Sequence, residues 1–184
     1  MWLVYLQLLI QIIFICLFLR QILIVIIAWW TGTQSDAPFE SSKVSITRKL
    51  VDGLELGEKQ LVYDLGSGSG KLIFTLARFI KNPMVGVEKN LPLYFISQTR
   101  RLISPHKNRI TFLHQDLFDV DLSPADVVYI YLCPKTNRRI KAKFEKELRS
   151  GTIVVALRWR IEFDQLKLIK TIAARHQIFI YRKI

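Results

Sequence analysis

The ten residues Val62-Tyr-Asp-Leu-Gly-Ser-Gly-Ser-Gly-Lys71 hold what a nucleotide-binding loop needs. A short apolar run ends in Asp64, and Gly66, Gly68 and Gly70 follow at alternate positions, interleaved with Ser67 and Ser69. The pattern predicts a strand, a tight loop lying against a ligand, and a helix behind it. Glycine suits such a loop because it has no Cβ to block the approach and tolerates φ/ψ values closed to other residues. The spacing excludes two loop types. A dinucleotide fingerprint would need glycine at Lys71, and a P-loop would need glycine at Leu65 and Ser or Thr at Leu72.

Glu88 ends a second strand, eighteen residues after Gly70. An α/β nucleotide site places there the carboxylate that accepts ribose hydroxyls. Asp116, just past a third strand, is placed for an adenine amino group, although loops are rich in aspartate for other reasons. A fourth strand exits as Tyr131-Leu-Cys-Pro134. Pro134 has no N–H and must end the ladder, so the carbonyls of Leu132 and Cys133 are expected free to face the cleft. Strand alternation puts Tyr129 and Tyr131 on one face. The bland alternative is a buried strand with an ordinary turn.

The elements that must position these groups follow from periodicity. Strands are expected at 60–65, 84–88, 110–115, 126–132 and 152–157, and helices at 41–52, 72–80, 92–102 and 137–149. Ser41 or Ser42 would cap the first helix. Residues 166–182 read as an antiparallel hairpin, although the first run could also be helical. Alternating strands and helices imply an α/β fold with a mostly parallel, doubly wound sheet, and such sheets bind ligands beyond the strand carboxyl ends.

Several segments recur in this order in one group of proteins. They are Pro38-Phe39 with Ser41-Ser42, the Asp-Leu-Gly-Ser-Gly-Ser-Gly-Lys loop, Gly86-Val-Glu88, Asp116-Leu-Phe-Asp-Val-Asp-Leu and the Ala125 to Pro134 run. With Phe144 to Val155, the chain resembles the small protein-lysine methyltransferases of archaea and bacteria that use S-adenosylmethionine (SAM). That group includes the mitochondrial membrane-anchored enzymes acting on lysines of the ATP synthase c-subunit and the ADP/ATP carrier. The resemblance covers residues 37–184. It implies a Rossmann-like class I methyltransferase fold and SAM held by Asp64, Gly66, Ser67, Gly68, Ser69, Gly70, Glu88 and Asp116. Tyr131, Leu132, Cys133 and Pro134 would then face the transferable methyl. Relatives usually carry Asp at Ser69 and Arg at Lys71, so Ser69 brings no charge to the cofactor's ammonium. Arg158 and Trp159 either line the substrate mouth or close the sheet.

The chain has 184 residues and a net charge of +12. Residues 1–30 carry one charge, Arg20, in an otherwise apolar run. As a helix this would span about 45 Å, enough for a tilted crossing of a bilayer core of about 30 Å. Trp29–Trp30 suit the headgroup belt. The expected organisation is an anchor at 1–30, a polar linker at 31–40 and a methyltransferase domain at 41–184. Lys43, Arg48 and Lys49 follow the segment and none precedes it, so the domain is expected on the cytoplasmic side, or the matrix side in a mitochondrion. The excess of positive charge fits an anionic leaflet, which makes nucleic acid an unneeded partner. Cys16 and Cys133 give neither a disulfide framework nor a metal site. His106, His114 and His176 fall beside turns and read as solvent-facing.

A membrane-associated protein is the expected methyl acceptor. The alternatives are a lipid, quinone or other small-molecule methyltransferase, and a degenerate SAM-binding membrane scaffold.

Overall fold

The computed structural model describes residues 2–34, 44–54, 56–57, 59–174 and 176–184. The chain divides into two compact units, Met1–Ser35 and Asp36–Ile184. The first is one helix, α1 (Trp2–Gln34), of 33 residues. Its stretch Val4–Ile24 is long and apolar enough to cross a membrane, and none of it is buried. The helix runs through Gln34, four residues into the expected linker, because adding residues to an established helix costs little. The remaining linker residues, the Pro38-Phe39 and Ser41-Ser42 pairs and the serine cap lie outside the described residues, as do the side chains of Trp29 and Trp30.

The second unit opens with α2 (Val44–Gly53), which buries Thr47 and Leu50. There follow β1 (Val62–Leu65), α3 (Lys71–Leu76), β2 (Met84–Glu88), α4 (Leu91–Leu102), a 3₁₀ turn at Lys107–Arg109 and β3 (Ile110–His114). Then come β4 (Val127–Ile130), α5 (Pro134–Glu147), β5 (Ile153–Leu157), β6 (Leu166–Ile172) and β7 (Ile178–Lys183). The strands form one sheet in the order β3-β2-β1-β4-β5-β7-β6, parallel from β3 to β5. The last two strands are antiparallel, which resolves the 166–182 region as a hairpin.

The central strands are buried on both faces, as apolar runs under two helical layers must be. Along β4, Val127 and Tyr129 pack with Leu50, Leu72, Ile73 and Leu76. Val128 and Ile130 face the other way, toward Ile140 and Phe144 of α5. The order of connections reverses between β1 and β4, and the crevice beyond their carboxyl ends is the switch point.

Many element ends move by a few residues, and three of the shifts have a physical cause. Strand β4 stops at Ile130, its partner in register with Leu65, because β1 ends there and offers no further ladder. The expected stop at Pro134 comes too late. Helix α5 starts at Pro134 rather than at Asn137, since proline suits the first helical turn and Cys133 takes the cap position. Helix α3 ends at Leu76 and continues as turns to Phe79, although its apolar stripe stays buried.

Candidate active site

The loop after β1 bends back on itself through three left-handed glycines, with φ of 79° at Gly66, 55° at Gly68 and 73° at Gly70. The N–H groups of Gly66 and Ser67 donate to the Val87 carbonyl at 2.9 and 3.0 Å, tying the loop to β2. The three glycines are required for different reasons. A Cβ on Gly68 would meet no atom within 4 Å, so that position faces open space and glycine answers to φ alone. A Cβ on Gly70 would fall 2.5 Å from the Phe112 ring. Gly86 on β2 has the same neighbour at 2.5 Å, so one phenylalanine fits against two glycines.

Glu88 lies at the end of β2, beside this loop. Its Oε2 accepts the Gly68 N–H at 2.7 Å and its Oε1 accepts the Asn90 N–H at 2.8 Å. The Lys89 N–H also bonds this carboxylate, so the backbone holds it through three donors and leaves one of its four lone pairs. Burial raises the Glu88 pKa, and the N–H groups of Asn90 and Gly68 and the charge of Lys89 pull it back down. Asp64, at 5 % exposure, is pushed up to about 8, first by burial and then by the Glu88 charge. Two carboxylates thus share a nearly dry crevice, an arrangement that favours a cationic ligand bearing hydroxyls.

Buried polar atoms around the crevice support a ligand of that kind. Ser67 Oγ and Asn90 Nδ2 are buried and make no hydrogen bond in this structure. Buried polar groups are normally paired, so such orphans mark where a ligand or water is expected. Asn90 Oδ1 meanwhile accepts the Leu93 N–H at 3.1 Å and caps α4. Sequence reasoning passed over Asn90, although a residue that caps a helix two positions after Glu88 was there to be read.

Ser69 faces an arginine. Arg100 of α4 donates from Nη1 to the Ser69 carbonyl at 2.6 Å and to its hydroxyl at 3.4 Å, with the guanidinium 4.5 Å above the Phe74 ring. Asp116 spends one carboxylate oxygen on the Phe118 N–H at 3.0 Å, and its own carbonyl accepts the Asp119 N–H. That makes it a turn former, with its second oxygen left over.

The β4 exit shapes the other side of the crevice. Leu132 is buried, and its Cδ2 sits 3.5 Å from where a Gly66 Cβ would be. The expectation that both exit carbonyls are free is corrected at Cys133, whose carbonyl accepts the Asn137 N–H at 2.9 Å as the opening bond of α5. Cys133 Sγ lies 3.3 Å from Thr136 Oγ1. Tyr131 stacks on Trp159 with ring centres 5.7 Å apart and planes at 29°. His176, expected to face solvent, is half-buried with its ring 6.4 Å from Tyr131. Arg158 holds φ of 73° and places its guanidinium 4.7 Å over the Trp159 ring. Tyr131, Trp159 and Arg158 therefore belong to one aromatic and cationic rim. Sequence spacing hid this, because the pairing of β4 with β5 brings Trp159 to Tyr131 and the pairing of β5 with β7 brings His176.

The sequence model of the ANTKMT methyltransferase domain family matches residues 64–166, from Asp64 within β1 to Leu166 at the start of β6. A protein-lysine N-methyltransferase of Saccharolobus islandicus (strain REY15A) is 30 % identical over 152 residues, covering 78 % of this chain and 92 % of that protein. The chain belongs to the ANTKMT methyltransferase family. It is a methyltransferase, and its cofactor is SAM. Solved structures agree on the fold. An RNA methyltransferase from Salinibacter ruber, in complex with S-adenosyl-L-homocysteine, superposes with a TM-score of 0.71 at 23 % identity, covering 78 % of this chain and 94 % of that one. A SAM-dependent methyltransferase from Geobacter sulfurreducens, also with S-adenosyl-L-homocysteine, gives 0.57 at 23 % identity, covering 73 % and 56 %.

Proposed function

We propose that this family member is a membrane-anchored protein-lysine methyltransferase. In this reading residues 1–30 anchor it, 31–40 tether it, and 41–184 carry the chemistry on the cytoplasmic or matrix side of the bilayer. Asp64, Gly66, Ser67, Gly68, Ser69, Gly70, Glu88 and Asp116 hold the cofactor, and Tyr131, Leu132, Cys133 and Pro134 face the methyl acceptor. The observation that carries the lysine assignment is the rim beside the β4 exit, where Tyr131 and Trp159 stack. The kinship to a protein-lysine enzyme and the apolar helix α1 support the same reading.

Bound SAM supplies a methyl on a positively charged sulfur that departs as a neutral thioether. The protein's task is to deliver an uncharged amine in line with that methyl. A lysine side chain has an ordinary pKa of about 10.4, so about one in a thousand is neutral near pH 7.4. Stacked rings at the mouth strip water from the ammonium, which lowers its pKa and favours loss of a proton to solvent. The same π faces attract the cation on its way in. The buried Glu88, fixed by backbone N–H groups, takes a ribose hydroxyl. Asp64 offers a carboxylate to the cofactor's positive end.

The test is labelled SAM added with the enzyme to detergent-extracted membranes. A labelled protein band that disappears when lysines are first acetylated is expected. Label confined to the lipid fraction would overturn the assignment.

A further inference from the structure

We propose that the outward face of α4 is a docking surface for anionic lipid, so that the catalytic unit lies on the bilayer through its own helix. At about 100° per residue, Leu91, Leu102, Phe95, Thr99, Ile103 and Ile96 follow one another within an arc of about 140° on α4 and its C-cap. No charged side chain falls in that arc. Phe95 is 59 % exposed, Leu102 68 % and Ile103 83 %. The opposite side buries Leu93 and Ser97 against the sheet, so α4 is apolar on the face the fold covers and on the face it leaves open.

Helix α5 supplies the contrast within the same molecule. It buries Ile140 and Phe144 and turns Lys135, Arg138 and Arg139 outward, as a solvated helix should. An uncovered apolar stripe of the α4 kind marks an interaction surface. Its electrostatics select the occupant. From 89 to 109 the chain has five basic residues, Lys89, Arg100, Arg101, Lys107 and Arg109, and no Asp or Glu. Arg100 and Arg101 spend hydrogen bonds on the carbonyls of Ser69 and Ile110 but keep their charge. Aromatic and aliphatic groups flanked by positive charge are what an interfacial membrane helix presents to an anionic leaflet. The chain also carries, in α1, a helix of membrane-spanning length and composition. Docking has a consequence for the site. Asn90 caps α4 and donates its N–H to Glu88, so the docked helix begins at the ribose carboxylate and holds the crevice next to the lipid surface.

The inference shares with the proposed function only the presence of a bilayer, and its test separates the two. The full chain is reconstituted into liposomes of phosphatidylcholine and radiolabelled phosphatidylglycerol, with p-benzoylphenylalanine replacing Phe95, Leu102 or, as control, Arg138. Irradiation is expected to label positions 95 and 102 with lipid at about ten times the yield at 138, given the apolar arc on one helix and the charged face on the other. These side chains are exposed, so the core is untouched, and an unchanged SAM affinity confirms the fold of each variant. Adducts to protein at 95 and 102, or lipid yields equal to that at 138, would overturn the docking surface. Carbonate washing reports on the anchor separately. Protein that resists extraction without lipid adducts at α4 refutes docking and leaves the anchor standing. Protein that washes off yet gives those adducts refutes the anchor and leaves docking standing.

Discussion

Replacing Asp64 with Asn tests the electrostatics of the crevice, because the wild-type acid is expected to release a proton when the cofactor binds. Without ligand its pKa lies at about 8, raised by burial and by Glu88 from an ordinary value of 3.8. A shift of about four pH units corresponds to roughly 6 kcal/mol against the charged form, at about 1.4 kcal/mol per unit. The sign follows from linkage. A group with a raised pKa in the folded state gives its full stabilisation below the unfolded value and loses it as pH climbs through the folded one. The ligand-free enzyme should therefore lose stability steadily from pH 4 to pH 8 on account of Asp64 and level off above.

A ligand bearing positive charge reverses the preference, since it stabilises the carboxylate. At pH 7 a group with a pKa of about 8 is about nine-tenths protonated, so SAM binding should expel about 0.9 proton, falling to about 0.1 at pH 9. Affinity should rise about tenfold per pH unit below 8 and flatten above it. The assay is calorimetric titration in phosphate and in Tris, whose different ionisation enthalpies report the proton count. Methylthioadenosine, which lacks both the ammonium and the sulfonium, should release almost none. Because Asp64 and Glu88 interact, the observed step belongs to the pair, and Asp64→Asn should remove it while weakening binding. Proton release that is unchanged in Asp64→Asn, or absent from the wild type at pH 7, would refute the reasoning.

Glu88→Gln removes the charge that strengthens hydrogen bonds to a ligand's hydroxyls, so the SAM Kd should rise roughly 10- to 100-fold by calorimetry, and the melting temperature should fall, because the new NH2 cannot accept one of the N–H groups that Glu88 now holds. Gly68→Ala meets no atom and should cost about 1 kcal/mol through its left-handed φ, whereas Gly70→Ala adds a collision with Phe112 and should cost clearly more in denaturant unfolding. Arg158 also sits at a left-handed φ, so Arg158→Gly should be more stable than Arg158→Ala by about 1 kcal/mol, while both lose the cation over Trp159 and raise KM for the protein acceptor.

Most of the sheet could be read from the chain because its strands are short apolar runs that end in punctuation. Met84 to Glu88 is bounded by a proline and an acid, and the strand found there matches the expected one residue for residue. The boundaries that moved were those that depend on a neighbour. Local sequence from Asp126 to Leu132 looks like strand throughout, yet β4 ends when β1 beside it turns into the glycine loop. Pairing length is a property of two segments, so no single segment reveals it.

The same distinction separates the legible half of the site from the hidden half. The glycine-loop side is built from residues close in sequence, and Gly66, Gly68, Gly70 and Glu88 show it by spacing alone. The aromatic rim is assembled across strands, with Tyr131 beside Trp159 through the parallel pairing of β4 with β5 and beside His176 through the antiparallel return of β7 against β5. Ser69 falls between these cases. That it is a neutral residue in the loop was visible, but its partner was not. Arg100 lies 31 residues away and reaches it because α4 runs back alongside the glycine loop. An aspartate at 69 would set a carboxylate beside that guanidinium. With serine, Arg100 binds the loop carbonyl, and the buried acids beside the loop are Asp64 and Glu88.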